Sequence, residues 1–219
     1  MRKENRMEET ILQYLRDKYR PLAIIVYGSY ADGTNGPGSD FDALLIAVGE
    51  KRHDDSAFEG VPLDVFVEPP ETFQKDWDPA DYVQLLGGRI AEDRGDLAAG
   101  VLERVRVWAA QLPRKTRSEL REELNWCRKM LERTRRGDDE GLYRWHWLLT
   151  DSLEIFCDLV GEPWLGPKKA LRRMEASHGL AKRAYGRALR EMSSDALDDW
   201  ISYLEKLAEI ESAWERNNA

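Results

Sequence analysis

Two aspartates and a glycine-serine turn stand close together early in the chain, and their types suit phosphate and metal binding. Gly28 lets the backbone approach a ligand closely, and Ser29 offers a hydroxyl and an N–H to phosphate oxygens. One residue separates Asp40 from Asp42, so on an extended strand both carboxylates project to the same side. Adjacent carboxylates repel each other unless a cation neutralises them, and such oxygen ligands suit Mg²⁺. The segment therefore predicts a site for a magnesium-bound nucleotide.

A third acid, Asp64, is the single polar side chain in the run Val-Pro-Leu-Asp-Val-Phe-Val at residues 61–67. This run is apolar enough to be a buried strand, where an unpaired carboxylate is unfavourable. We therefore expect Asp64 to meet a metal ion or a hydrogen-bond donor. The competing interpretation is that Asp40 and Asp42 end a solvated loop and that Asp64 caps a turn.

This arrangement resembles the signature of nucleotidyltransferases in the DNA polymerase beta superfamily: a Gly-Ser turn, ten intervening residues, an Asp-Phe-Asp segment and an acid on a later strand. The resemblance implies that the turn holds the triphosphate of ATP or another NTP. It also implies that the three acids bind two Mg²⁺ ions, and that the later acid shares a metal or is the base. The implied site residues are Gly28, Ser29, Ser39, Asp40, Asp42 and Asp64.

Short apolar runs rich in β-branched residues flank these side chains and predict the strands that position them. The strands are predicted at residues 22–27, 41–48, 61–67 and 87–93. Before them, Ile11, Leu12, Leu15 and Tyr19 form one helical stripe that Pro21 ends. We therefore predict an α+β fold that begins with a nucleotidyltransferase α/β domain with a mixed sheet over residues 1–95.

Residues 96–219 have helical periodicity and predict an all-α bundle of four or five helices as a substrate-binding domain. Thr116 and Glu119 have the spacing of a capping box. The last predicted helix carries Trp200 and Trp214 on its apolar face. These helices are predicted to begin near residues 116, 142, 167 and 193.

A small nucleotidyltransferase domain followed by helices is similar to the kanamycin, streptomycin and lincosamide nucleotidyltransferases. In those relatives, a segment that looks like residues 161–171 brings a lysine to the nucleotide phosphates, which implies this role for Lys168 or Lys169. Two lysines at the start of a helix also oppose the helix dipole and favour an anionic partner. The alternative is a solvated pair of surface lysines.

The composition agrees with a folded enzyme of the cytoplasm. Of the 219 residues, 42% are hydrophobic, and no run approaches the roughly 20 apolar residues that cross a bilayer. Cys127 and Cys157 are the two cysteines and lie in helical patterns, so a disulfide framework is not expected. The net charge of −8 disfavours a nucleic-acid surface and mildly favours a cationic small-molecule acceptor. The oligomeric state, monomer or homodimer, stays open.

We expect the chain to transfer AMP from ATP to a hydroxyl of a small acceptor and to release pyrophosphate. The acceptor would be aminoglycoside-like or lincosamide-like, with antibiotic resistance as one outcome. The base that removes the acceptor proton is Asp64, or else Asp151 or Glu154 in the helical half. The alternatives are an antitoxin-type enzyme that adenylylates a protein, and a nucleotide-binding module without catalysis.

Overall fold

In the computed structural model, residues 3–74 and 76–218 are described; for residues 3–5 and 211–218 the description covers the backbone alone. Contacts divide the chain into two compact units, residues 1–112 and 113–219. The predicted fold class is confirmed, with a mixed sheet first and helices after it. No helix in the described ranges has both the length and the apolar character needed to span a membrane.

The first unit is built on a mixed sheet with the strand order β3-β5-β2-β1-β6, and β4 pairs with β5 beside it. Its central pair, β2 and β5, is parallel, while the other pairs are antiparallel. The strands are β1 Ala23–Val26, β2 Phe41–Ile46, β3 Arg52–Asp54, β4 Ala57–Phe58, β5 Val61–Glu68 and β6 Arg89–Asp93. The helices are α1 Lys3–Tyr19, α2 Gly28–Ala31, α3 Pro70–Gln74, a 3₁₀ helix Pro79–Leu85 and α4 Leu97–Ala110.

Alternation along the central strands gives the sheet two apolar faces. One face packs against α1, which contributes the predicted stripe residues Ile11, Leu12 and Leu15. The other face packs against the 3₁₀ helix and α4. Because both faces are covered, the central strands are apolar almost throughout, as the sequence shows.

Helix α4 belongs to the sheet unit. Its residues Ala98, Val101, Leu102 and Val105 are buried in the same cluster as Ile25 of β1. The division of contacts after residue 112 therefore differs from the predicted boundary after residue 95. The apolar stripe of α4 needs the sheet for its burial, and helical periodicity alone does not tell which neighbour covers it.

The second unit consists, over its described residues, of five helices. They are α5 Arg117–Thr134, α6 Asp139–Leu159, α7 Pro167–Ser177, α8 Gly179–Glu191 and α9 Ser194–Asn218. The capping box of Thr116 and Glu119 is present at the start of α5. Trp200 is fully buried and donates its indole N–H to Ser152 Oγ at 2.9 Å. The predicted apolar position Trp214 lies outside the residues whose side chains are described.

Polar contacts also hold helices of this unit together. The guanidinium of Arg128 on α5 contacts Glu205 on α9, with Nε 2.6 Å from Oε1, and donates to Ser202 Oγ at 2.7 Å. It also contacts Asp198 on the same helix. The planar guanidinium of Arg128 therefore fixes how the antiparallel helices α5 and α9 align, through several directed hydrogen bonds.

In the first unit, the buried carboxylate of Asp54 ties the edge strand β3 to α1. It accepts hydrogen bonds from Lys18 Nζ at 2.8 Å, Tyr19 Oη at 2.6 Å and Ser56 Oγ at 2.6 Å. Burial by itself would raise the pKa of Asp54, but the hydrogen bonds from Lys18, Ser56 and Tyr19 outweigh it and hold that pKa well below 3.8. The ionised form is therefore the one that the fold stabilises.

We expect Asp54→Asn to lower the free energy of unfolding by about 1–3 kcal/mol at neutral pH. The substitution removes the negative charge that accepts hydrogen bonds from Lys18, Tyr19 and Ser56. Since the folded pKa is depressed, this stabilisation is present above pH 3.8 and is lost as the pH falls through the folded pKa. Urea unfolding of the wild type and of Asp54→Asn over a pH series measures this stabilisation. The difference in the free energy of unfolding between the two proteins should become smaller at acidic pH. Asp55→Asn, at an exposed neighbour, is the control; equal losses in both variants would contradict the assignment.

Candidate active site

The turn after β1 brings its backbone against an aspartate. Gly28 opens α2 with φ of +65°. A Cβ atom on Gly28 would lie 2.0 Å from Asp42 Oδ2, which is far inside van der Waals contact. Both the backbone conformation and the close approach therefore require a residue without a side chain. Glycine at position 28 is what allows the Asp42 carboxylate to lie beside the turn.

The next residue, Ser29, carries a polar group that is out of solvent. Its side chain is 2% exposed, and its Oγ has no hydrogen-bond partner among the described residues. Its carbonyl oxygen accepts from the amides of Thr34 at 2.9 Å and Asn35 at 3.1 Å, which folds the loop back onto the turn. A buried hydroxyl without a partner is unfavourable, and a ligand oxygen would satisfy it.

The three predicted acids come together on one side of the sheet. In the parallel pair of β2 and β5, Asp42 lies opposite Asp64, and Asp40 immediately precedes β2. One carboxylate oxygen from each residue lies within 4.8 Å of the others. Asp40 is exposed, while Asp42 and Asp64 are partly buried. Three hard oxygen donors at this spacing fit a divalent cation such as Mg²⁺.

The charge of this cluster acts on the neighbouring phenol. Tyr27, the residue before Gly28, is 6% exposed, and burial is the largest cause that raises its pKa. The charges of Asp64, Asp42 and Asp40 raise that pKa further, in that order. The phenol of Tyr27 therefore stays protonated. The concentrated negative charge of the three aspartates beside it favours the binding of a cation.

The structure adds one residue to the site that the sequence analysis missed. His53 on β3 places Nε2 2.6 Å from Asp64 Oδ1, and its ring stacks on Phe66 at a centroid distance of 4.4 Å. This imidazole is the hydrogen-bond donor expected for Asp64 when its N–H points at that oxygen. Asp64 is also less buried than its apolar run predicted, with 38% of its side chain exposed. Strand β3 is three polar residues long, so no hydrophobic pattern marked it.

The remaining predicted nucleotide contacts have different surroundings. Ser39 Oγ accepts from the amide of Gly36 at 3.0 Å, and Ser39 N donates to Gly36 O at 3.0 Å, so this serine closes the loop before Asp40. Lys168 and Lys169 lie in the first turn of α7 in the helical unit, where Lys168 is exposed and Lys169 partly buried. Their role at the phosphates stays a prediction.

The two bundle acids considered as bases line a groove within the helical unit. The groove has a volume of about 370 Å³ and includes Asp151, Glu154 and Trp126. Burial raises the pKa of Asp151, and a hydrogen bond from Trp147 opposes that shift. A raised pKa makes the carboxylate of Asp151 a stronger base. Further residues of the groove are Lys115, Glu122, Glu123 and Ile155.

A family model matches the part of the chain that carries this site. Residues 8–96 match the family model of a nucleotidyltransferase domain. A search of curated proteins found no match to the chain. Among solved structures, a nucleotidyltransferase-like protein from Exiguobacterium sibiricum 255-15 is 13% identical, covers 94% of this chain and 74% of its own, and has a TM-score of 0.38.

At that identity and score, the structural likeness carries no functional conclusion. The family match, in contrast, spans the turn, the three acids and the strands that carry them. Domains of this family use a nucleoside triphosphate and a divalent metal. Residues 8–96 therefore form a nucleotidyltransferase domain of the DNA polymerase beta superfamily, and the presence of this domain supports a nucleotidyltransferase activity for the chain.

Proposed function

We propose that this enzyme transfers a nucleoside monophosphate, AMP from ATP, to a hydroxyl of a small cationic acceptor, with Mg²⁺ as cofactor and pyrophosphate as the second product. The observation that carries the proposal is the convergence of Asp40, Asp42 and Asp64 within 4.8 Å beside the Gly28 turn. The family match supports the reaction type. Two Mg²⁺ ions bound by the three aspartates would stabilise charge on the entering and leaving oxygens.

The chain's own residues supply the rest of the chemistry. Gly28 allows the backbone to approach the triphosphate, and the Ser29 hydroxyl donates to a phosphate oxygen. His53 holds one oxygen of Asp64, which leaves the other oxygen for the metal or for the acceptor proton. Lys168 or Lys169 is a further candidate for a phosphate contact.

Two observations favour a cationic acceptor. The chain has a net charge of −8, and the groove of the helical unit carries four carboxylates against one lysine. Charge of one sign in a groove raises the local concentration of ligands of the other sign. A cytoplasmic location, the aminoglycoside-like or lincosamide-like identity of the acceptor and a link to antibiotic resistance stay predictions.

A transfer screen tests the proposal directly. ATP labelled at the α-phosphate is incubated with Mg²⁺, the enzyme and aminoglycosides, lincosamides or a cell-extract metabolite pool, and the other three nucleotides are compared. We expect label on a small hydroxylated molecule. Label on a protein instead would support an antitoxin-type enzyme, and binding of ATP without any transfer would support a nucleotide-binding module.

We expect Asp42→Asn to lower the transfer rate by more than about 100-fold, since even indirect partners of metal ligands contribute ~10–100-fold. The change keeps the side-chain volume, so the fold should be retained. The rise in melting temperature with Mg·ATP, compared with ATP and EDTA, should also shrink. Asp55→Asn removes an exposed charge from the same unit and is the control. A wild-type rate in Asp42→Asn would refute the metal assignment.

We expect Gly28→Ala to lower kcat on the order of 100-fold, because its methyl group would displace the Asp42 carboxylate. The matched control is Gly33→Ala. Gly33 has a similar φ of +71°, yet its Cβ would meet no atom within 4 Å. Steady-state kinetics of both variants therefore separate backbone strain from displacement of the ligand. Equal losses of kcat would mean that strain alone explains the effect.

If the groove acids dock the acceptor or remove its proton, neutralising one of them changes the acceptor kinetics and leaves ATP binding nearly unchanged. If Asp151 is the base, Asp151→Asn lowers kcat; if it docks a cation, the substitution raises KM for the acceptor, and rising salt does the same. Glu154→Gln is compared in the same assay. Unaltered kinetics in both variants would leave Asp64 as the base.

A further inference from the structure

The sheet face that carries the aspartates continues into a cavity of about 300 Å³ within the first unit. Leu44 and Phe66 line it from β2 and β5, and Tyr27 and Tyr82 contribute aromatic walls. Tyr27 links the cavity to the active site, because it precedes Gly28 and because the charges of all three aspartates raise its pKa. Neither the sequence pattern nor the family match assigns this cavity a role.

Strand register places residues of the cavity next to the three aspartates on the same sheet face. Asp42 pairs with Asp64, Leu44 with Phe66 and Ile46 with Glu68. Side chains two residues apart share a face, so these pairs follow one another along the same surface. Glu68 comes four residues after Asp64, which is roughly 13 Å along a strand. The cavity therefore begins at Leu44 and Phe66, the next residues on this face after Asp42 and Asp64, and reaches Glu68.

Glu68 is an unusual residue for the wall of a cavity, because it is charged and only 3% exposed. Its Oε1 is 2.6 Å from Lys51 Nζ, and its Oε2 accepts from Thr72 Oγ1 at 3.3 Å. Burial is the largest cause that raises the pKa of Tyr82 to about 12, and the charge of Glu68 and a hydrogen bond between the two side chains raise it further. Glu68 therefore lies in a largely water-free position, where Lys51 is the cation placed against it and the hydroxyls of Thr72 and Tyr82 are further partners.

Lys51, the cation that contacts Glu68, is largely exposed to solvent. The side chain of Lys51 is 69% exposed, and Lys51 precedes the edge strand β3. An exposed ammonium on a flexible stem loses rotamer freedom in order to hold one position. A cationic ligand that reaches Glu68 through the cavity would replace this ammonium and return Lys51 to water. Asp81, which also lines the cavity, adds a second negative charge for such a ligand.

We propose that this cavity binds the acceptor, and that an ammonium group of the acceptor displaces Lys51 from Glu68. The inference rests on the proposed function and names the acceptor's shape: a hydroxylated molecule with an amine roughly 13 Å or less from the reacting hydroxyl. In-line transfer requires the acceptor to lie opposite the leaving pyrophosphate, so an acceptor in the cavity would have to approach the aspartates from the side opposite the Ser29 hydroxyl. The aromatic side chains of Tyr27, Phe66 and Tyr82 would pack against the rings of a cyclic acceptor.

Calorimetric titration with kanamycin A, an amine-bearing hydroxylated probe, tests the exchange. We expect saturable binding to the wild type, binding at least about tenfold weaker to Glu68→Gln, and tighter binding to Lys51→Met, which removes the competing ammonium. Glu71→Gln neutralises an exposed acid on α3 that does not line the cavity, and should bind like the wild type. Asp151→Asn reports separately on binding to the groove of the helical unit.

The Mg·ATP shift in melting temperature, measured on the same variants, should be unchanged by either substitution at the cavity. No binding of the probe, equal binding by Glu68→Gln, or weaker binding by Lys51→Met would overturn the proposal. If Glu68→Gln instead raises the KM for ATP, the cavity holds the nucleoside, and the proposal falls. If Mg·ATP does not raise the melting temperature of the wild type, the proposed function is refuted instead. If Glu68→Gln does not fold, the binding of the probe by Lys51→Met, compared with the wild type, still tests the proposal.

Discussion

Repulsion among three carboxylates is the constraint on which the rest of this structure depends. Two unit charges about 4 Å apart interact by roughly 4 kcal/mol at the effective dielectric near a protein surface. Asp40, Asp42 and Asp64 lie at such distances, so the arrangement is maintained against that repulsion. The rigidity of the sheet and a cation when bound must together offset it. A site that holds repelling charges close together is pre-organised for a ligand of opposite charge.

The parallel pairing of β2 and β5 is what enforces this closeness. A slip of one residue in its register would move Asp64 to the opposite face of the sheet. That register is in turn fixed by the apolar residues of both strands, which are buried on the two faces. The tie between Asp54 and Lys18 holds strand β3 in place, and with it His53 against Asp64. Hydrophobic burial and a few directed polar contacts thus support the same three side chains.

Negative charge recurs on the same sheet face at Glu68, where it is compensated differently. The aspartates face a site that fits a metal, whereas Glu68 is compensated by the exposed Lys51. An exposed ammonium with one such contact exchanges for a ligand more readily than a guanidinium held by several partners. In the helical unit, Arg128 illustrates the fixed kind, since its guanidinium is held by several partners on α9. The difference distinguishes a contact that can exchange for a ligand from one that only stabilises.

The sequence by itself determined the nucleotidyltransferase domain, the fold class and which three acids come together, because these depend on local patterns. The Gly-Ser turn, the alternation at Asp40 and Asp42, and the apolar runs each specify their own element within a few residues. The capping box of Thr116 was likewise readable, since its partner is three residues away. For the same reason, the strands around the site lie close to their predicted positions.

Only the tertiary structure decided which distant residues meet. The pairing of His53 with Asp64 depends on strand β3, whose three polar residues carry no periodic signal and gain their conformation from the edge of β5. The burial of Glu68, the position of α4 against the sheet and the cavity beside the aspartates all arise from packing between segments far apart in the chain. Local propensity does not encode such contacts, because their energy exists only when both segments are already in place.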